Sequence, residues 1–191
     1  MELWHGSQKI IETPQIGLGK VHNDYGQGFY CTESLNLARE WACSRDADGF
    51  VNRYELDMAD LKVLDLLSPQ YSVLHWIALL VEHRSFRKDT AIAVGACEYL
   101  HDHFLPDTSV CDVIRGWRAD DSYFSYARAF VNNTITVEQL GRAMKLGNLG
   151  EQIVLKSERA FTSIRFAGFE RAPQALYGPL AKDRDELARA Q

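Results

Sequence analysis

Asp24-Tyr25-Gly26-Gln27-Gly28-Phe29-Tyr30-Cys31-Thr32 is the stretch on which the reading of this chain turns. Its glycines punctuate a loop, and the aromatic run behind them reads as a short strand over Phe29-Tyr30-Cys31. Thr32 or Ser34 then caps a helix that carries Leu35, Ala38, Trp41 and Ala42 on one face. Upstream, Met1 to Trp4 reads as a strand running into His5-Gly6-Ser7. Downstream, Phe50, Val51, Tyr54 and Leu56 belong to one strand and Lys62 to Leu66 to another.

The middle of the chain is helical. Ser68 with Pro69 predicts a cap and first turn, followed by Leu74, Ile77, Ala78 and Val81 at helical spacing. Asp89 to His103 predicts a second helix with Ile92, Ala93, Ala96, Tyr99 and Leu100 on its buried side. Cys111 to Trp117 reads as a strand and about Ser122 to Val131 as a helix. Thr136 with Gln139 forms a capping box that opens a further helix, up to Lys145. Gln152 to Leu155 and Ser163 to Phe169 are the last strands. Strands at both ends with helices between them, and no regular strand–helix alternation, predict an α+β fold. A chain of 191 residues predicts one domain, over residues 1–180. The charged stretch 181–191 is expected to be a frayed helix or a disordered tail.

A 46% hydrophobic and 25% charged composition is that of a soluble globular protein. The net charge of −5 excludes the global basic field of a nucleic-acid coat protein, though not an enzyme that grips one strand locally. No apolar run approaches the roughly 20 residues of a spanning helix, so no membrane role is expected. The start MELWHGSQKI lacks a basic head followed by an apolar run. Cys31, Cys43, Cys97 and Cys111 are irregularly spaced, which predicts reduced buried thiols and a cytoplasmic setting.

Several common sites are excluded. There is no G-x-x-x-x-G-K-[ST] loop, no H-E-x-x-H helix and no G-x-S-x-G elbow. Gly17-Leu18-Gly19 lacks the third glycine of a dinucleotide fingerprint. His101 and His103, two apart near a helix end, read as solvated side chains before metal ligands. Three segments remain: Leu3-Trp4-His5-Gly6-Ser7, the opening stretch followed by Ala38 and Trp41-Ala42, and Gly150-Glu151-Gln152-Ile153-Val154-Leu155. Singly, each is compatible with an ordinary structural role.

In this order they resemble the His-Tyr-Glu pattern of the ADP-ribosyltransferase superfamily. L-W-H-G-S looks like its first strand, D-Y-G-Q-G-F-Y-C-T like its aromatic second strand, and G-E-Q-I-V-L like its acid-bearing strand. The chain is closer still to a bacterial ADP-ribosyltransferase-like family of unknown function, often encoded beside a small partner protein. The likeness rests on G-x-G-F-Y-x-T followed by W-A, on D-V-I-x-G-x-x-A-D-D over Asp112 to Asp121, and on a helix leading into Gln152-Ile153. It covers roughly Met1 to Phe166.

The resemblance implies a split β-sandwich with inserted helices and NAD as substrate. It implies that Glu151 stabilises the oxocarbenium-like sugar formed as nicotinamide leaves, and that His5 binds the adenosine ribose. Tyr30 would stack on nicotinamide, and the Gly6 backbone would meet its carboxamide. Ser7 and Thr32 are secondary ligands for the ribose and for orienting the site, and Gln152 completes the binding set. No metal is implied. Glu151 and Gln152 are alternatives separated by one residue of strand register, and Asp120 and Asp121 are rival carboxylates, equally readable as a helix cap. The function implied is transfer of ADP-ribose to a protein or nucleic acid, as a toxin of a toxin–antitoxin or phage-defence pair with a small antitoxin. NAD hydrolysis, a silent binder and a structural module are the other readings. Arg115, Arg118 and Arg128 with Trp117, Tyr123 and Phe124 form a basic–aromatic set, readable as a nucleic-acid grip or as core with a solvated face.

Overall fold

The computed structural model describes residues 1–43, 47–119, 121–146 and 150–189, and side chains for all of these except 121–123, 144–146, 181 and 183–189. In chain order the elements are β1 (Glu2–Ser7), β2 (Phe29–Cys31), α1 (Leu35–Ala42), β3 (Gly49–Leu56), β4 (Val63–Asp65), α2 (Val73–His83) and α3 (Ala91–Phe104). They continue with β5 (Val113–Trp117), α4 (Asp121–Val131), α5 (Val137–Leu146), β6 (Glu151–Leu155), α6 (Glu158–Ser163), β7 (Ile164–Ala172) and α7 (Gln174–Arg189). The fold is α+β.

Two sheets form, in the orders β1-β3-β7 and β2-β6-β5-β4, antiparallel except for the β4–β5 pair. They meet edge to edge. Trp4 N–H donates to the Thr32 carbonyl at 2.8 Å and Thr32 N–H to the Trp4 carbonyl at 2.9 Å. Leu3, Cys31, Leu56, Val113, Ile153 and Leu155 fill the space between the sheets. The opposite face of the four-stranded sheet offers Ile114 and Val154 to Trp76, Ile77, Leu79 and Leu80 of α2, with Ala93, Cys97 and Leu100 of α3 behind them. Ile153, Val154 and Leu155 are therefore a continuous apolar run because β6 is covered on both faces. On the outer face of the three-stranded sheet, α1 packs Ala38 and Ala42 against Val51.

Local chemistry explains most boundaries. Ser34 caps α1, accepting from Leu37 N–H at 3.3 Å. Thr136 and Gln139 exchange the two bonds of a capping box ahead of α5. The helix expected from Ser68 begins later: Ser68 and Pro69 sit in a turn closed by Tyr71 N–H on the Ser68 carbonyl, and Ser72 caps α2 together with His75. Asp112 holds the Ser157 hydroxyl that caps the six-residue α6, an element with no sequence signal strong enough to predict. The final strand reaches Ala172 through a bulge opposite Arg53 and Tyr54, where Gly168 adopts φ 126°. Helix α7 begins at Gln174 and continues past residue 181 to Arg189. All four cysteines are buried and free, and among the described residues no helix is long and apolar enough to cross a membrane.

Gly116 carries a tertiary constraint. A β-carbon there would collide with the Tyr25 hydroxyl, which donates to the Trp117 carbonyl at 2.7 Å. Gly116→Ala is expected to cost about 2–3 kcal/mol in urea unfolding, from overpacking and a displaced hydrogen bond. Gly95, mid-helix with nothing near its missing side chain, is the control: Gly95→Ala is expected to stabilise by roughly 0.5–1 kcal/mol. Equal effects at the two positions would contradict the packing described for Tyr25.

Candidate active site

His5 lies on β1 with Leu3 and Ser7 on the face turned toward the four-stranded sheet, since alternate residues share a face. Its Nδ1–H donates to the Tyr30 carbonyl at 2.7 Å, and its ring stacks 4.5 Å from Phe29. A carbonyl can only accept, so this bond fixes the proton on Nδ1 and leaves Nε2 an acceptor. Burial keeps the ring neutral by pushing its pKa below the ordinary 6.5, against the Tyr30 carbonyl, which favours the protonated form.

Gly6 follows. A β-carbon would meet the Ala38 carbonyl, lie 2.6 Å from Ala42 N and 2.8 Å from Trp41 Cβ. The glycine is thus required by the close approach of α1. Trp4 spends its N–H and C=O on Thr32, away from β3. Antiparallel alternation then directs the Gly6 N–H and C=O to that same open edge. Ser7 turns inward: its hydroxyl donates to the Lys9 carbonyl at 2.5 Å and accepts from Asn52 Nδ2 at 3.2 Å. Thr32 is buried, and its Oγ1 accepts from Ser34 N–H at 3.1 Å. Both hydroxyls serve the chain's own turns.

On β6 the register is settled. Glu151 pairs with Trp117, and the alternation puts it on the inter-sheet side with Ile153 and Leu155. Its carboxylate meets Arg115, with Nη2 at 2.6 Å. Gln152 points the other way, buried, donating to Asp24 Oδ2 at 3.0 Å and to the Trp117 carbonyl at 3.2 Å. Gln152 is therefore part of the interior and is corrected from ligand to scaffold. Asp120 lies outside the described residues. Asp121 opens α4, and its side chain lies outside them as well.

Tyr30 is the other correction. It pairs with Val154, whose side chain belongs to the helix-covered face, so its ring lies on the side of β2 away from Glu151. The hydroxyl donates to the Gly26 carbonyl at 2.6 Å and accepts from Tyr25 N–H at 3.0 Å. These bonds hold the loop before β2, with Gly26 at φ 72°. The aromatic group beside Gly6 is Trp41. Its Nε1–H is buried with no partner among the described residues, and Arg118 lies over its ring, 5.6 Å from the centroid. The sequence placed Trp41 on the buried side of α1; the indole N–H, which needs a partner when buried, was the available hint.

The remaining motif residues converge beneath the site. Buried Asp24 accepts from Arg84 at 2.7 Å, from Ala119 N–H at 2.8 Å and from Gln152. Burial raises its pKa, while Ala119, Arg84 and Gln152 oppose the rise. Lys156 donates to the Tyr25 and Gln27 carbonyls, both at 2.7 Å. His101 turns to Asp102 and His103 meets the Tyr99 ring edge-on, so the two histidines diverge.

A family model described as "Protein of unknown function (DUF3990)" matches residues 1–166. The chain belongs to this family. No curated protein and no solved structure matches it. The DUF3990 region contains β1 to α6 and the start of β7, hence every residue of the site and of the Asp24 network. Within it, D-Y-G-Q-G-F-Y and D-V-I-R-G-W are chiefly folding determinants that meet at Asp24 and the Trp117 carbonyl.

Two outcomes test this geometry. Tyr30→Phe is expected to destabilise the protein by about 1–2 kcal/mol, since it removes one hydroxyl that serves two backbone groups; an unchanged urea midpoint contradicts those bonds. Because the His5 pKa is lowered, the unfolded chain takes up the proton first as pH falls. Stability from neutral His5 is complete above 6.5 and is lost as pH drops below it, until the folded ring also protonates. His83 acts in the same direction, through burial and then Lys156. The thermal midpoint is expected to fall between about pH 7 and about pH 5, and less steeply in His5→Gln.

Proposed function

We propose that this DUF3990 protein transfers ADP-ribose from NAD to a protein or nucleic acid, and is the toxic member of a pair with a small neutralising protein. The observation that carries the reading is the fixed state of His5: neutral, Nδ1 spent on Tyr30, Nε2 left to accept from a hydroxyl. Beside it are the outward-directed Gly6 backbone and the buried Trp41 Nε1–H, unpartnered among the described residues. Glu151 shares the inter-sheet side. Two sheets joined at the Trp4–Thr32 edge fit the split sandwich of the superfamily that the sequence resembles.

In this reading His5 Nε2 accepts from a ribose hydroxyl and Gly6 offers its N–H and C=O to the carboxamide. Trp41 supplies the aromatic contact. The nicotinamide–C1′ bond breaks with its electron pair leaving on nicotinamide. Glu151 stabilises the cationic sugar, and the acceptor's nucleophile bonds to C1′ and gives up its proton. Water as acceptor yields hydrolysis through the same residues.

Incubation with NAD labelled in its adenylate, alone and with bacterial lysate, tests the reading. Label retained on macromolecules is expected; free ADP-ribose alone indicates a hydrolase, and unchanged NAD overturns both. Glu151→Gln is expected to lower turnover by about two to three orders of magnitude with the thermal midpoint kept. Expression of the wild type alone is expected to slow bacterial growth, and His5→Ala or Glu151→Gln to relieve it. Harmless expression of folded wild type counts against a toxin.

A further inference from the structure

Arg115 reaches from β5 to β6 and places two donors on one atom. Its Nε lies 3.1 Å and its Nη2 2.6 Å from Glu151 Oε2, while Nη2 also reaches Glu33 Oε2 at 3.3 Å. Asp65, directly opposite Arg115 across the β4–β5 pair, adds to the negative field. The guanidinium is thus held by carboxylates from β6 and the turn after β2, with Asp65 of β4 contributing charge alone. Glu151 Oε1 has no partner among the described residues.

Folding does not account for this clamp. Arg115 is 34% exposed and both glutamates 45%, and ion pairs so exposed add little to folding. The consequence is geometrical. A free glutamate at a strand end samples many rotamers, and two donors on Oε2 fix the carboxylate's direction and with it Oε1. The cation also offsets the repulsion between Glu33 and Glu151, which converge on it.

We propose that Arg115 is the positioning residue of Glu151: it pins Oε2 and turns Oε1 toward the reacting sugar, with Glu33 steadying the guanidinium. The proposal rests on the reading that Glu151 stabilises the sugar cation. A carboxylate misplaced by about 1 Å forfeits up to about a hundredfold in rate, so the pair can matter to turnover while contributing little to folding.

The test is steady-state NAD turnover by wild type, Arg115→Gln, Arg115→Lys, Glu151→Gln and the Arg115→Gln/Glu151→Gln double variant, with thermal unfolding of each. In Arg115→Gln, kcat is expected to fall about ten- to a hundredfold with KM for NAD changed less than about twofold. Arg115→Lys, with the charge but not the two-point fork, is expected to recover part of kcat. The double variant is expected to be no slower than Glu151→Gln, because a positioned group that is absent cannot be misplaced. A wild-type kcat in Arg115→Gln beside an inactive Glu151→Gln overturns the positioning role alone. So does a further loss in the double variant. If Arg115→Gln unfolds, Arg115→Lys decides, and a wild-type kcat there overturns the two-point clamp. Normal turnover by Glu151→Gln, or none by wild type, sinks the underlying reading and the proposal with it.

Discussion

The Trp117 carbonyl accepts from three donors: the Tyr25 hydroxyl at 2.7 Å, Trp76 Nε1 at 3.1 Å and Gln152 Nε2 at 3.2 Å. An oxygen with two lone pairs is saturated by them, and each donor comes from a different segment. The loop before β2, helix α2 and strand β6 are thereby tied to the end of β5. Asp24 doubles the tie through Gln152 and Ala119 N–H. In an interior of low dielectric these bonds are mutually reinforcing, and loss of one leaves buried polar atoms without partners. Because Gln152 is claimed by this network, the register of β6 cannot slip, and Glu151 must emerge on the opposite face.

The second constraint is the junction of the sheets. A single residue pair, Trp4 with Thr32, joins the edge of one to the edge of the other. The junction brings the Tyr30 carbonyl to His5 and brings α1 onto β1 so closely that Gly6 admits no side chain. Glycine there is required by helix packing, and its backbone is left at an open edge.

The two sides of β6 divide the polar work. Toward the helices, Asp24 and Gln152 are buried and hydrogen-bonded within the protein, and the Asp24 charge is balanced by Arg84. Toward the other sheet, Glu151, Glu33 and Arg115 form an ion-paired group and keep a third or more of their surface in solvent.

The sequence by itself determined the α+β class, the strands, a cap for α1 narrowed to Thr32 or Ser34, and the Thr136 capping box. These follow from local rules: glycine punctuation, side-chain periodicity and cap chemistry act over a few residues. It did not place α2 after Ser72 or reveal α6, whose caps depend on His75 and on Asp112, the latter 45 residues from Ser157. At the candidate site the sequence proposed His5 and Glu151 but not their surroundings. That Tyr30 faces the helices, that Gln152 belongs to the interior, that Trp41 stands beside Gly6 and that Arg115 grips Glu151 were decided by the tertiary structure. Which face of a strand meets which neighbour is set by how the sheets pack, and contacts between Arg115 and Glu151, 36 residues apart, leave no trace in either one's local sequence.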